Sequence, residues 1–322
     1  MSEENKTSLR QADNFVVIEG TLLENRLEET KVNDKEAING EVDIEVKENE
    51  VHTVSFFSYK YKSDGSENGI YKSLTTVMNE YKSVASHGRE EADKVRVTGG
   101  NIRLNEYYGQ DGQLRSFPQI QSNFINRVKP DEEFNPRAEF DVEIVVSSAV
   151  DEMKNDEETG RVIVKSYIVL YEGKVIPFTF IMHEEGADFA RDNYEKGVTT
   201  RIYGDIINFK EVKRTEKPTA FGKPQEKVTT TTIREFLITG GSEPYDEENV
   251  NTYDIDVIKK ALTEREVYLE QLKNKKKDDK KSGNGKSGNS SASSKKDDKG
   301  EKKGFDTKKD KKPPIDDSDL PF

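Results

Sequence analysis

The feature that most constrains this chain is an order of elements met twice. Strand signals lie at Phe15-Val16-Val17-Ile18-Glu19-Gly20, at Glu41–Lys47 and at Val51–Lys62, where polar residues alternate with aliphatic, β-branched and aromatic ones. The stretch 23–40 between the first two is polar and reads as loop. Ile70–Ala85 then places Ile70, Leu74, Val77, Met78, Tyr81 and Val84 at helical spacing. Lys94–Tyr108 is strand-like again, Asp111-Gly112 signals a hairpin turn, and Gln113–Val128 returns. After a proline- and acid-rich linker the order recurs. Ala138–Val150 is a strand, Asp151–Gly160 a charged turn and Arg161–Tyr171 a strand. Gly173 turns the chain into Val175–Met182, Glu184–Tyr194 is a short helix, and Val198–Phe209 and Lys227–Ile238 close the unit.

An internal echo supports a duplication. Arg96-Val97-Thr98-Gly99 matches Arg201-Ile202-Tyr203-Gly204 at an offset of 105, and at that offset Ile102 meets Ile207, Leu104 meets Phe209 and Glu106 meets Glu211. Three strands, a helix and two more strands is the order of an OB-fold, a small Greek-key barrel. The fold class is therefore all-β dominated: two tandem OB-fold barrels over 14–128 and 137–240, with a linker at 129–136 and a disordered start at 1–13. Residues 241–274 read as an acidic loop and a helix, because Ile255, Ile258, Leu262, Val267, Leu269 and Leu272 recur helically over Asp254–Lys273. From 275 to 314 the chain is mostly Lys, Asp, Ser, Gly and Asn, which cannot offset the entropy of ordering, so a disordered linker is expected before 315–322.

Composition excludes several chemistries. There is no cysteine, so disulfides, thiolate metal sites and thiol nucleophiles are ruled out. No apolar run approaches the roughly 18 residues of a membrane span, and the polar start MSEENKTSLRQADN has no signal-peptide core, which implies a cytoplasmic protein without a membrane partner. Residues 275–312 hold 15 Lys against 7 acids and the last ten hold three Asp and no base, so of the total charge of −12 the body 1–274 carries −17. Such a body argues against unspecific duplex binding, which rests on phosphate neutralisation. It leaves room for a local basic groove, since fields are screened within about 8–10 Å.

The chain closes on IDDSDLPF, residues 315–322. This resembles the terminal peptide of bacterial and bacteriophage single-stranded DNA-binding proteins, in which clustered Asp precede an apolar residue, Pro and Phe. The resemblance extends to Val51-His52-Thr53-Val54-Ser55-Phe56-Phe57, similar to that family's third strand with Phe57 on its phenylalanine, and to Gly100–Ile120. There Tyr107 stands where the family has a stacking tryptophan; Val51 replaces another, and this chain has no tryptophan at all. The resemblance implies OB-folds that coat ssDNA during replication, recombination and repair. It further implies a tip that docks on DNA-processing enzymes. In that tip Phe322 offers a ring and a carboxylate, Leu320 and Pro321 add apolar and stiff contacts, and Asp316, Asp317 and Asp319 attract a basic rim. A solubilising acidic end is the plain alternative. The family's familiar members carry one barrel per chain and assemble four, so two barrels imply a monomer or homodimer.

The residues themselves support a stacking platform, since unpaired bases are held by aromatic rings beside cations. Phe57, Tyr59 and Tyr61 share one strand face; Arg103, Tyr107, Tyr108, Arg115 and Phe117 flank a hairpin. Aromatics on strands are more often core, and Phe56, Phe124 and Phe140 read that way. Residues 210–227 form a basic loop between strands, with Lys213, Arg214, Lys217 and Lys223 around Phe221, or else an ordinary solvated hairpin. No catalytic or metal constellation is found: His52, His87 and His183 are scattered, no phosphate-cradling Gly-rich loop occurs, and no cofactor is expected. The rival readings are a recruitment hub whose barrels bind only protein, and a nuclease holding Mg²⁺ on carboxylates.

Overall fold

In the computed structural model the described residues are 9–283, without 218–220, 222–224 and 247. The first barrel is built from β1 (Asn14–Asn25), β2 (Glu28–Val32), β3 (Lys35–Lys47) and β4 (Glu50–Tyr59), then α1 (Gly69–Glu80) and α2 (Val84–His87). It is completed by β5 (Lys94–Tyr108), β6 (Leu114–Gln121) and the short β7 (Asn126–Arg127). β1 pairs antiparallel with β3, β3 with β4, β5 with β6 and β5 with β1, while β4 and β6 run parallel. That closed circuit of five strands, with a helix between the third and fourth, is an OB-fold.

The second barrel repeats the circuit with β8 (Arg137–Lys154), β9 (Glu157–Val169), β10 (Val175–Met182), α3 (Glu184–Asn193), β11 (Thr199–Lys217) and β12 (Gln225–Gly241). β8 pairs with β9, β9 with β10, β12 with β11 and β11 with β8, and β10 lies parallel to β12. Alternation explains both cores: Val42, Ile44, Val54, Phe56, Val97 and Ile102 fill one barrel, and Val142, Val162, Val164, Phe178, Phe180 and Ile202 the other, all buried. α1 closes the first barrel with Leu74 and Val77 and starts at Asn68, whose side chain accepts from Ile70 N. A final helix, α4 (Ile255–Gly283), follows. Among the described residues no helix is long and apolar enough to cross a membrane.

Both barrels belong to one compact unit that runs to Asp278. They are joined by their first strands: β1 and β8 pair antiparallel from Asn14↔Val142 to Glu19↔Arg137. Val16 lies opposite Phe140, and each stands beside a glycine, Gly100 or Gly204, on the neighbouring strand of its own barrel. The pairing is thus centred on equivalent residues, and a pseudo-twofold axis passes between them.

Several expectations are corrected here. The polar stretch 23–40 is not loop; β1 extends into it, and it holds β2 and the start of β3, joined by a turn with Asn33 and Asp34 at positive φ. The charged turn expected at Asp151–Gly160 shrinks to Asn155-Asp156, with strand on both sides. The helix expected over Ile70–Ala85 is two helices, because Ser83 caps the second with a capping box. The echo of Arg96 and Arg201 holds, since they stand opposite Glu19 and Glu143. Its continuation does not: β5 shifts register against β1 between Val16 and Ile18, where Gly99 has φ +75°. Ile102 is therefore buried and corresponds to buried Ile206, while Ile207 points outward. Phe124, expected in the core, is 49% exposed; the chain bends at Ser122, whose hydroxyl accepts from Phe124 N, and Ile125 takes the interior place. Lastly, α4 continues past Lys275 to Gly283, as a run rich in the helix former Lys can.

Candidate nucleic-acid interface

The expected platform divides into two groups on the outer face of the first barrel. On β4 the outward residues are Thr53, Ser55, Phe57 and Tyr59, since Val54, Phe56 and Ser58 are buried. Phe57 and Tyr59 are half-buried and meet edge-to-face with centroids 4.9 Å apart. Lys35 lies 6.0 Å over the Tyr59 ring. Tyr61 follows, 49% exposed, with Lys60 5.7 Å from its ring and itself paired to Glu36 at 3.0 Å.

The second group lies on the β5–β6 hairpin. Cross-strand pairs Arg103↔Gln119, Asn105↔Phe117 and Tyr107↔Arg115 put these six side chains on one face. Tyr107 and Phe117 are 46% and 48% exposed, with centroids 6.3 Å apart and planes at 33°. Two large exposed rings side by side are an open surface for a flat ligand. Gln119 donates to Ser55 Oγ at 2.8 Å, tying the hairpin to β4. The groups are separated along the strands, because Ser55 stands beside Gln121, Phe57 two residues beyond it and Phe117 four residues before it. Six residues of strand span about 20 Å.

Arg103 is the unusual cation. Burial lowers its pKa from the ordinary guanidinium value, its Nε is buried without a hydrogen-bond partner, and among the described residues no carboxylate pairs with it. Arg115 is exposed and pairs loosely with Asp111 at 3.4 Å across the turn. In contrast, Arg96, Arg161 and Arg201 are each held by carboxylates that raise their pKa. Tyr108 lies on the opposite face of the hairpin, with Lys273 of α4 5.7 Å over its ring. Beside it Glu106 pairs with Arg265 and accepts from Ser116 Oγ, so α4 braces the hairpin from behind.

The basic loop expected over 210–227 is a hairpin ribbon. β11 runs to Lys217 and β12 starts at Gln225, with Lys213↔Thr229, Arg214↔Val228 and Lys217↔Gln225 in register. Thr229 to Thr232 are β-branched and favour that extension. Phe221 is 91% exposed. Lys223 lies outside the described residues, as do Asp316, Asp317, Asp319, Leu320, Pro321 and Phe322.

Sequence reasoning missed the outer face of the second barrel. Ile207, Phe209 and Ile233 line a groove of about 760 Å³ with Arg161. Arg161 is bound there to Glu152 at 2.7 Å and Glu235 at 2.9 Å. Lys165, Tyr167 and Pro177 line another groove. The signal was present in the alternation of buried Val162, Val164, Ser166 and Ile168, which turns Lys165 and Tyr167 outward. Among the described residues no group of three or more His, Asp or Glu could hold a metal ion.

The YorF family model matches residues 12–275, both barrels and most of α4. The chain belongs to the YorF family. Among solved structures this YorF-family chain is similar to the wild-type single-stranded DNA binding protein from Thermus aquaticus, at 10% identity and a TM-score of 0.46, over 74% of this chain and 97% of that one. A deletion mutant of the same Thermus aquaticus protein gives 12% identity, a TM-score of 0.45 and coverage of 74% and 98%. A Replication Protein A heterotrimer bound to ssDNA gives 8% identity, a TM-score of 0.21 and coverage of 73% and 51%. No curated protein matches the sequence.

Proposed function

We propose that this YorF-family protein binds single-stranded DNA without reading its sequence and recruits DNA-processing enzymes of replication, recombination and repair through residues 315–322. The observation that carries the first half is the β5–β6 face: exposed rings Tyr107 and Phe117 beside Arg103, a guanidinium with no acid partner among the described residues. Stacking takes bases of any kind, and an uncommitted guanidinium takes a phosphate or a base edge. Phe57 and Tyr59 extend the platform along β4. In a body of charge −17 a duplex meets repulsion over most of the surface, whereas an unpaired strand gains stacking energy locally. The second half is supported by the sequence IDDSDLPF, where Asp316, Asp317 and Asp319 suit a basic rim and Phe322 an apolar pocket.

The test is a fluorescence-anisotropy titration of labelled ssDNA, RNA and duplex, with Mg²⁺ and then EDTA present. Preference for ssDNA over duplex by at least about tenfold, weakening with salt and without cutting, is expected. Equal duplex affinity, or metal-dependent cutting, refutes the reading.

A further inference from the structure

The hairpins β5–β6 and β11–β12 are counterparts, but they are held by different means. β11–β12 is hydrogen bonded to the turn between β3 and β4: Asn208 Nδ2 donates to Val51 O at 2.5 Å, and Lys210 N donates to Asn49 O at 2.8 Å. β6 is tied to β4 only at its base, where it pairs at Ile120 and Gln121 and where Gln119 donates to Ser55 Oγ. The part that carries Tyr107 and Phe117 projects past that base, and its rear face meets α4. α4 is itself rooted in the second barrel. Tyr253 N, just before it, donates to Thr199 Oγ1 at 3.1 Å, Ile255 packs over Gly197, and Ile258 is buried in the core with Ala261 and Leu262 against it.

One face of α4 is a stripe of residues spaced three and four apart: Ile255, Ile258, Leu262, Arg265, Leu269 and Leu272, each buried or half-buried. Arg265 is the one charge in it. Its ion pair with Glu106 is only 18% and 13% exposed, Glu106 also accepts from Ser116 Oγ at 3.0 Å, and Arg265 Nε is buried without a hydrogen-bond partner. Replacing such a pair by apolar side chains is often neutral or stabilising, because desolvation offsets most of the attraction. What the pair adds to an apolar stripe is register: it fits one alignment of helix on strand, where leucine accepts several. Lys273, about two turns on, then falls 5.7 Å over the Tyr108 ring, and Leu269 between them on the stripe is buried. Glu106 and Tyr108 alternate along β5 with Arg103, Asn105 and Tyr107, so whatever fixes the rear face fixes the tilt of the front one. We infer that α4 is the element by which the second barrel sets the ssDNA face of the first, and that Arg265 is its positioning residue, an inference that rests on the reading given above. Arg265 touches no DNA in this scheme. It holds Tyr107, Phe117 and Arg103 at one angle, so that the ordering of the hairpin is complete before a strand arrives.

The test uses the full chain with Arg265→Glu, Arg265→Met, and the exchange Arg265→Glu with Glu106→Arg, which restores the pair at the parent's net charge. Three quantities are read: melting, hydrogen exchange of the backbone amides over 104–117, and affinity for an oligothymidylate over a salt series. Arg265→Glu should lose about tenfold in affinity, the worth of one stacked base, and exchange in 104–117 should quicken by more than about tenfold. Arg265 lies outside the barrel cores, so the main melting transition should stay within about 2 °C of the parent. The slope of log affinity against log salt should equal the parent's, because no phosphate contact is removed. The exchanged pair should return affinity to within about threefold of the parent and slow the hairpin again. Arg265→Met, whose stem suits the stripe, should show the same pattern more weakly, and it decides the matter if Arg265→Glu does not fold. A smaller salt slope in Arg265→Glu and Arg265→Met overturns the inference by making Arg265 a DNA contact. Parent-like affinity in a chain whose hairpin exchanges faster overturns it too, as does an exchanged pair that binds no better than Arg265→Glu. A parent chain that does not bind the oligomer overturns the proposed function, and the inference with it.

Discussion

Replacing Arg103 by methionine separates binding from folding, because the structure assigns the two effects opposite signs. In most proteins removing a half-buried arginine destabilises, since its ion pair is lost and a buried acid is stranded. Arg103 has no such pair among the described residues, and its Nε is buried without an acceptor. Leaving a donor of that kind unmade costs about 1–3 kcal/mol when fully buried. Arg103 is half-buried, so the cost here is discounted to about 1 kcal/mol or less. Arg103→Met keeps the stem volume, which fills the space along Gln119, and removes that cost. Stability should stay level or rise by about 1 kcal/mol, equivalent to about 2–4 °C in a body of this size. Affinity for ssDNA should fall by about 1.5–3 kcal/mol, the range for a hydrogen bond to a charged group, and the salt slope should drop by about 0.7. Calorimetric melting beside anisotropy titrations over a salt series reads both. A lower melting temperature with unchanged affinity would refute the reasoning, because it would show Arg103 to be a structural cation.

Tyr107→Ala should weaken ssDNA binding by about 1–3 kcal/mol with melting within about 2 °C of the parent, as the ring is 46% exposed; titration and melting check it. Phe180→Ala, in a cluster with buried Phe140 and Phe178 and partly buried Phe236, should destabilise by about 3–5 kcal/mol in denaturant unfolding. Glu143 is buried, which raises a carboxyl pKa, but Arg10, the Asp13 N–H and the Tyr245 hydroxyl outweigh that and hold it below the ordinary 4.5. Its folded pKa is thus depressed: the stabilisation is complete above the unfolded value and fades as pH falls through the folded one. Glu143→Gln should therefore destabilise at neutral pH and flatten the acid limb of stability below about pH 4.5, measured by melting between pH 3 and 7. Deleting 315–322 should abolish capture of protein partners in a pull-down and leave ssDNA affinity equal or slightly higher at low salt.

Where alternation was strong the sequence spoke clearly. The strands Lys94–Tyr108 and Val175–Met182 and the turn at Asp111-Gly112 stand where their patterns put them. β2 was hidden because it is an edge strand of Glu, Thr and Lys with no residue in the core, so no apolar period marks it. The second half of the echo failed for a reason no offset can carry: one extra residue at Gly99 turns every later side chain of β5 over, relative to β11. The platform was only partly legible. Tyr107, Phe117 and Arg115 follow from the hairpin turn, but that Tyr108 belongs to α4 requires knowing that a helix more than a hundred residues later returns to brace the hairpin. Lys165 and Tyr167 went unread, although the alternation of buried Val162, Val164, Ser166 and Ile168 turns both outward.

The junction of the first strands also decides which halves can mate. About the axis through Val16 and Phe140, Glu19 meets Arg137, an ion pair of 3.7 Å. Place two copies of β1 about the same axis and Glu19 falls opposite Asp13 on both sides, acid against acid. Two copies of β8 would instead set Glu143 opposite Arg137. The native junction has one such acid end, Asp13 against Glu143, which Arg10 and Arg201 neutralise, where two copies of β1 would have two, so charge favours β1 on β8 over β1 on β1. If the protein were cut within 129–136, the first half should remain a lone barrel seeking the second, while the second could close on itself.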